Sequence, residues 1–373
     1  MKSKAVTLLN TIGQLLFGLM AFAFLVLALT DNAIAADTNG DGLVDQVAVC
    51  QGNKICVTRG GSGQVITYSD PGWNSVSINS VKDTDGVVGD DIVVVATNGF
   101  GAFQCICIIH DRIQSYVQYH DPQWSSVSIN TVADTNGNPG AEVVLIVTNS
   151  LGQFQCICVI HDQVGSFSSY KDPSNWSSVS INTVTDTDGN TGGDIVLIAT
   201  NSSGAFWCIC VIHDRTGTYS TYRDSANWSS VTISGVSDTD GNVGSDIVLI
   251  ATNSSGAFWC VCIIHDRIGS FVNYRDASNW GTVSVNSVVD TNGVVGNDVI
   301  VVYAKFGGSP GISIVHDRIG TWLNYIFPGN FTIQTVSNTD GQPGAEVCSS
   351  LQLGGFIRIT DRLSIQQNVS GCP

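Results

Sequence analysis

Seven short acidic segments hold most of the side chains in this 373-residue chain that can do chemistry. In the first, Asp37, Asn39, Asp41 and Asp45 stand at positions 1, 3, 5 and 9 of a loop, with Gly40 and Gly42 between them and an apolar strand behind. Alternating oxygen-bearing side chains converge on one point when glycine lets a loop turn tightly, and a set of hard oxygens selects Ca²⁺ over transition metals. The other six segments keep an oxygen at positions 1, 3 and 9. They are Asp83, Asp85 and Asp91; Asp134, Asn136 and Glu142; Asp186, Asp188 and Asp194; Asp238, Asp240 and Asp246; Asp290, Asn292 and Asp298; and Asn338, Asp340 and Glu346. Position 5 has lost its carboxylate in all six, becoming Val87, Asn138, Asn190, Asn242, Val294 or Gln342. Calcium affinity follows ligand charge, so an ion is expected in the first loop. In the rest, a weaker ion site competes with plain turns, where Asp83 and its counterparts bond their own backbone and Gly86 and Gly89 supply positive φ.

Cysteine and histidine form the second constellation. Cys105/Cys107, Cys156/Cys158, Cys208/Cys210 and Cys260/Cys262 are four Cys-x-Cys pairs, followed by His110, His161, His213 and His265. Residues two apart on a strand share a face, and each histidine lies an odd number of residues from both cysteines, so it projects from the opposite one. A zinc site within one segment is thereby disfavoured. The pairs read as small buried hydrophobes, since their Cα atoms stand roughly 6.5 to 7 Å apart in an extended chain, at the limit of disulfide geometry. Cys50 with Cys56, and Cys348 with Cys372, are better disulfide candidates in an exported protein. The His-Asp dipeptide recurs at His110, His161, His213, His265 and His316, and five copies argue against a catalytic constellation, which is normally single. Its aspartate is expected to fix a hairpin through an Asx-type bond. No enzyme is expected.

These residues are placed by a repeat. Trp73, Trp124, Trp176, Trp228 and Trp280 recur at intervals of 51, 52, 52 and 52, each ten residues before an acidic loop. A period near 50 marks a propeller, whose units are blades that cannot bury their faces alone. In the second copy, Ser75 to Val81, Asp91 to Thr97, Ala102 to His110 and Ser115 to Tyr119 read as four strands separated by Asn98-Gly99, Asp111-Arg112 and Asp121-Pro122. Ile92 to Val95 are apolar on both faces, as a strand sandwiched between blades requires. The fold class is therefore all-β, a seven-bladed β-propeller of about 52-residue four-stranded repeats. The repeated Trp and the series Tyr119, Tyr170, Tyr222, Tyr274 and Tyr325 are expected to pack between blades.

The nine-residue acidic pattern resembles the calcium loops of FG-GAP and VCBS repeats, the propeller repeats of integrin α-subunits and many secreted bacterial proteins. The resemblance covers essentially the whole chain after its N-terminus. It implies that each acidic loop joins the innermost strand of a blade to the second, with the loops on one face. The six later loops depart from the family pattern at position 5 and in the place of the second glycine.

At the N-terminus, Lys2 and Lys4 precede an apolar run from Leu15 to Leu29 and then Ala33-Ile34-Ala35, the form of a secretory signal cleaved before Ala36. Residues 1–35 are then a leader and 36–373 the propeller. Cleavage there leaves the first blade three strands; an earlier site would keep Ala33-Ile34-Ala35 as its inner strand. A net charge of -16 repels phosphate backbones and excludes nucleic acid as a partner. No second apolar stretch is long enough to span a bilayer. Together these features point to a secreted, calcium-binding scaffold for adhesion to an extracellular protein or glycan, with a multivalent carbohydrate-binding lectin as the alternative and a polysaccharide-active enzyme behind it.

Overall fold

The computed structural model describes residues 33–305 and 308–372. Most of the expected leader, residues 1–32, lies outside the described residues. The described strands form seven four-stranded antiparallel sheets, each built from four consecutive strands in sequence order. This is the fold class that the repeat predicts, one sheet per blade. The second blade comprises Ser75–Lys82, Asp91–Thr97, Phe103–His110 and Ser115–Tyr119, within one residue of the expected bounds. Among the described residues, no helix is long and apolar enough to cross a membrane.

Of the two arrangements expected for the first blade, the four-stranded one is observed. Ile34–Ala36 is its first strand, with Ile34, Ala35 and Ala36 opposite Val47, Gln46 and Asp45. Cleavage before Ala36 would therefore remove two of its three residues.

By internal packing, the chain divides into two compact units. One runs to Val132 and includes Pro139–Ser169; the other is Ala133–Asn138 with Tyr170 onward. In each unit the core lies between the faces of successive blades. In the first, Cys105, Cys107 and Ile109 pack against Val47, Ile55, Val57, Tyr68 and Trp73 of the preceding repeat. Ile106 and Ile108, from the same strand, pack the other way against Val143, Leu145 and Cys158. Both faces of a middle strand are thus consumed, which is why these segments read as continuous apolar runs. The Trp series is buried as expected. Each Trp also meets an aromatic ring of the next blade's fourth strand, Trp73 on Tyr116 and Trp280 on Trp322, with centroids 5.4 and 6.1 Å apart.

Disulfides Cys50–Cys56 and Cys348–Cys372 form as expected. Cys105–Cys107 is bonded as well, with a Cα separation of 5.8 Å, against the expectation for that pair, whereas Cys156, Cys158, Cys208, Cys210, Cys260 and Cys262 are free and buried as expected. The sixth blade has no Cys-x-Cys. Gly311 and Ser313 stand there instead, and glycine is required because a Cβ on Gly311 would overlap the Tyr303 ring.

Candidate functional site

The acidic loops lie where the first strand of each blade turns into the second. Their position 1 and 3 residues are turn-formers. Asp83 Oδ1 accepts the Gly86 amide at 2.7 Å, and Asp85 Oδ1 accepts Val87 N at 2.8 Å. Position 1 does the same at Asp134, Asp186, Asp238, Asp290 and Asn338, each accepting the amide of the glycine three residues on. Position 3 repeats its own bond at Asn136, Asp188, Asp240, Asn292 and Asp340, each toward the residue two further along. In the first loop Asp37 takes three amides, those of Gly40, Asp41 and Gly42. There Asn39 donates to Asp41 Oδ2, while Asp41 Oδ1 accepts Leu43 N.

Successive loops are chained by their backbones. The position 1 carbonyl of one loop accepts an amide from the next, as in Asp90 N to Asp37 O (2.7 Å), Ala141 N to Asp83 O (2.9 Å) and Ala345 N to Asp290 O (2.8 Å). The glycine at position 7 makes this approach feasible. Gly244 has φ of +98°, and a Cβ on it would come within 2.8 Å of Gly189 N and Thr187 O in the neighbouring loop.

The position 9 acid turns inward. In the fifth blade Asp246 Oδ2 accepts the Thr239 amide at 2.8 Å and its hydroxyl at 2.7 Å, while Oδ1 meets His265 Nδ1 at 2.9 Å. The other imidazole nitrogen, Nε2, lies 3.3 Å from Asp317 of the following blade. Asp317 in turn accepts the Tyr274 hydroxyl at 2.7 Å and stands 2.7 Å from Thr239 Oγ1. A hydroxyl carries one proton, so Thr239 serves one acid fully at a time, and the histidine proton holds the pair together. The arrangement recurs with Asp91, His110 and Asp162, with Asp194, His213 and Asp266, and with Asp298, His316 and Asp361. In the third blade Glu142 takes position 9, with His161 Nδ1 3.8 Å away. In the seventh, Glu346 accepts the Thr339 amide and hydroxyl, and Thr360 replaces the histidine.

The aspartate of His-Asp therefore differs from its expected Asx role. Its backbone carbonyl closes the hairpin, accepting Gly269 N at Asp266 for example, while its side chain crosses to Thr and Tyr of the preceding blade. The Tyr series is the donor set for this contact. Sequence reasoning passed over Thr38, Thr84, Thr135, Thr187, Thr239, Thr291 and Thr339, although a threonine stands at position 2 of every loop.

Burial disfavours the charged imidazole of His265, but hydrogen bonds to Asp246 and Asp317 and their negative charge win, lifting it to about 10. His316 is raised to about 10 by the same opposition of burial against Asp298 and Asp361. At His110 and His213 the hydrogen bonds to Asp91 and Asp194 lead, again raising the ring. At about 10, His265 and His316 are cations at neutral pH. In the first blade Arg59 occupies the histidine's place: its guanidinium bonds Asp45 at 3.0 Å and also Asp111, whose carboxylate accepts the Tyr68 hydroxyl as well.

Calcium fits this arrangement poorly. Asp45, the position 9 ligand of the best candidate loop, has both oxygens taken by Thr38, Arg59 and Gly60 and is fully buried. Among the described residues, four groups do bring two acids and a histidine within 4.8 Å: Asp85/Asp91/His110, Asp188/Asp194/His213, Asp240/Asp246/His265 and Asp298/His316/Asp361. A metal there would have to displace the imidazole proton.

No protein-family model matches the chain, and no curated protein is significantly similar to it. Among solved structures it is similar to a lectin from Burkholderia pseudomallei, at 10% identity over 92% of this chain and 99% of that one, with a TM-score of 0.34. The β-propeller domain of the trilobed protease from Pyrococcus furiosus gives 11% identity, 91% and 99% coverage, and 0.34. Dipeptidyl peptidase 4 from Porphyromonas gingivalis gives 10% identity and 0.40 over 91% of this chain and 53% of that one, so the chain spans about half its length.

Proposed function

We propose that the chain is an exported, non-catalytic binding scaffold of FG-GAP/VCBS-like organisation, displaying its blade ends to an extracellular protein or glycan in adhesion. One observation carries this reading. The titratable groups that look most like chemistry are copied from blade to blade, and in the first, second, fourth, fifth and sixth blades they join the blade to the next. What remains displayed beside them are exposed aliphatic tips such as Val88, Val243, Val295, Ile268 and Ile319, a composition suited to contact. The two disulfides joining adjacent strands or distant segments, Cys50–Cys56 and Cys348–Cys372, support export to an oxidising compartment.

A multivalent lectin is the second reading, favoured by two matched surface features at the opposite blade ends. Arg223 lies over the Trp207 ring at 3.9 Å and Arg275 over Trp259 at 4.0 Å. Each stacked pair presents a guanidinium edge beside an aromatic ring, and two such pairs in one unit would give avidity. Calcium in the first loop is a competing reading for the acids, tested below.

The experiment is binding of the immobilised full chain to a glycan array and to purified extracellular-matrix proteins, with turnover assayed in parallel. Saturable binding without conversion is expected. Glycan binding above one site per chain, lost in Trp207→Ala with Trp259→Ala, would favour the lectin. Turnover of a polysaccharide, abolished by substitutions in one blade alone, would overturn the scaffold reading.

A further inference from the structure

The four Cys-x-Cys pairs have no part in the binding reading, yet their sulfurs are brought together repeatedly. Each pair sits on the third strand of its blade and is buried, with 4% exposure at most, at Cys156. In the second blade Cys105 and Cys107 lie opposite Ala96 and Val94, and the register shifts just beyond Ala96. That irregularity accompanies the contraction of the Cα separation to 5.8 Å, below the roughly 6.5 to 7 Å of a straight strand. The same shift follows Val147, Ala199 and Ala251 in the next three blades, each opposite the first cysteine of a pair. The backbone device that permits one bond is therefore present four times.

The sulfurs respond to it. Cys105 and Cys107 are bonded. Cys208 Sγ lies 2.6 Å from Cys210 Sγ, far inside the roughly 3.5 to 4.0 Å at which non-bonded heavy atoms settle. Cys158 and Cys156 are hydrogen-bonded to one another. Only Cys260 turns away, toward Asn273 Oδ1 at 3.3 Å. Cys156, Cys158, Cys208, Cys210, Cys260 and Cys262 are free thiols in this structure, and a bond within each of their three pairs would give all twelve cysteines a partner.

We propose that all four Cys-x-Cys pairs are intrastrand disulfides in the exported protein, formed before the blades close. Each bond forms by two exchanges. One cysteine thiolate attacks a disulfide oxidant such as oxidised glutathione, releasing one thiol. The second cysteine then attacks the mixed disulfide, releasing the other thiol and leaving the S–S bond; the two thiol protons pass to solvent or to the released thiolates. The timing follows from burial. In the folded chain it holds Cys210 and Cys262 well above the usual thiol range and Cys260 up to about 12, so there is neither thiolate nor access for exchange.

The test is intact mass of the full chain, secreted or refolded with a glutathione redox pair, then denatured without reductant and alkylated. No alkylation is expected, with a mass about 12 Da below that of the reduced chain, from six bonds at about 2 Da each. Alkylation of Cys156, Cys158, Cys208, Cys210, Cys260 or Cys262 overturns the proposal. Local pairing is checked by Cys208→Ser, which should free one thiol, Cys210, and no other. Should that variant fail to fold, peptides of the parent spanning Cys208 and Cys210 must each run about 2 Da light. A bond from Cys210 to another blade in either measurement also overturns it.

Discussion

Replacing His265 by Gln removes the cation between Asp246 and Asp317 and leaves both carboxylates buried and facing one another. The side chain is 10% exposed, so solvent screens the loss weakly. A rise from the ordinary 6.5 of a histidine to about 10 corresponds to about 5 kcal/mol of differential stabilisation at most, at about 1.4 kcal/mol per unit. Breaking a buried pair by removing one partner typically costs about 3–5 kcal/mol, so the two routes agree on about 3–5 kcal/mol at neutral pH. The sign of the pH dependence follows from linkage. The folded-state value lies above the unfolded one, so the stabilisation is complete below about 6.5 and is lost as pH rises through about 10. Asp240 at 3.7 Å, Asp246 and Asp317 face the ring, and the Tyr274 hydroxyl donates to Asp317. Burial holds Tyr274 above the ordinary phenol range, so it stays protonated through this window.

Blades of a repeat chain can open separately, so the assay should be local. Hydrogen exchange of peptides from Asp246–Thr252 and Phe258–His265, between pH 6 and 10.5 and corrected for intrinsic rate, reads the junction directly. The parent should lose protection toward pH 10. His265→Gln should start low and stay flat. An unchanged slope in His265→Gln, or a cost below about 0.5 kcal/mol, would refute the idea of a protonated clamp.

Three other outcomes are expected. Gly244→Ala, forcing a Cβ against Gly189 N and Thr187 O at positive φ, should cost about 1–3 kcal/mol in urea unfolding, whereas Gly256→Ala, at positive φ with open space around it, should cost less. Excess chelator should leave the melting curve unchanged, because Arg59 and the histidines already neutralise the position 9 acids; a calcium-dependent rise that Asp41→Ala removes would instead establish the first loop as an ion site. N-terminal sequencing of the secreted chain should find a start before Ile34, since Ile34–Ala36 completes the first sheet, and a mature chain beginning at Ala36 would refute that.

The blades were legible because period and alternation act through burial, which composition records strand by strand. Asp91–Thr97 and Ser115–Tyr119 fall where apolar runs and turn residues place them. Parity likewise separated the cysteines from His110. What parity does not say is which neighbour a face will meet, and the site depends on that. Asp111 and Asp266 read as turn-formers within their own hairpins; their side chains find Thr and Tyr of the blade before, contacts between residues 43 to 79 positions apart.

The acidic loops were ambiguous for a deeper reason. A calcium loop and a loop that hooks onto its neighbour both want short oxygen-bearing side chains at positions 1 and 3 and glycine where the backbone turns. The discriminating residues lie elsewhere: glycine at position 7, which lets one loop touch the next, and threonine at position 2, whose hydroxyl is useful only if two carboxylates meet there. Asp246 and Asp317, brought together from different blades, require a compensating charge in a buried site. Calcium is one answer, and it makes folding depend on the ion. An imidazolium or guanidinium supplied by the same blade is another, and it belongs to the chain itself. Arg59 in the first blade and His265 and His316 in the fifth and sixth supply such a cation, and with the two histidines comes a dependence on pH.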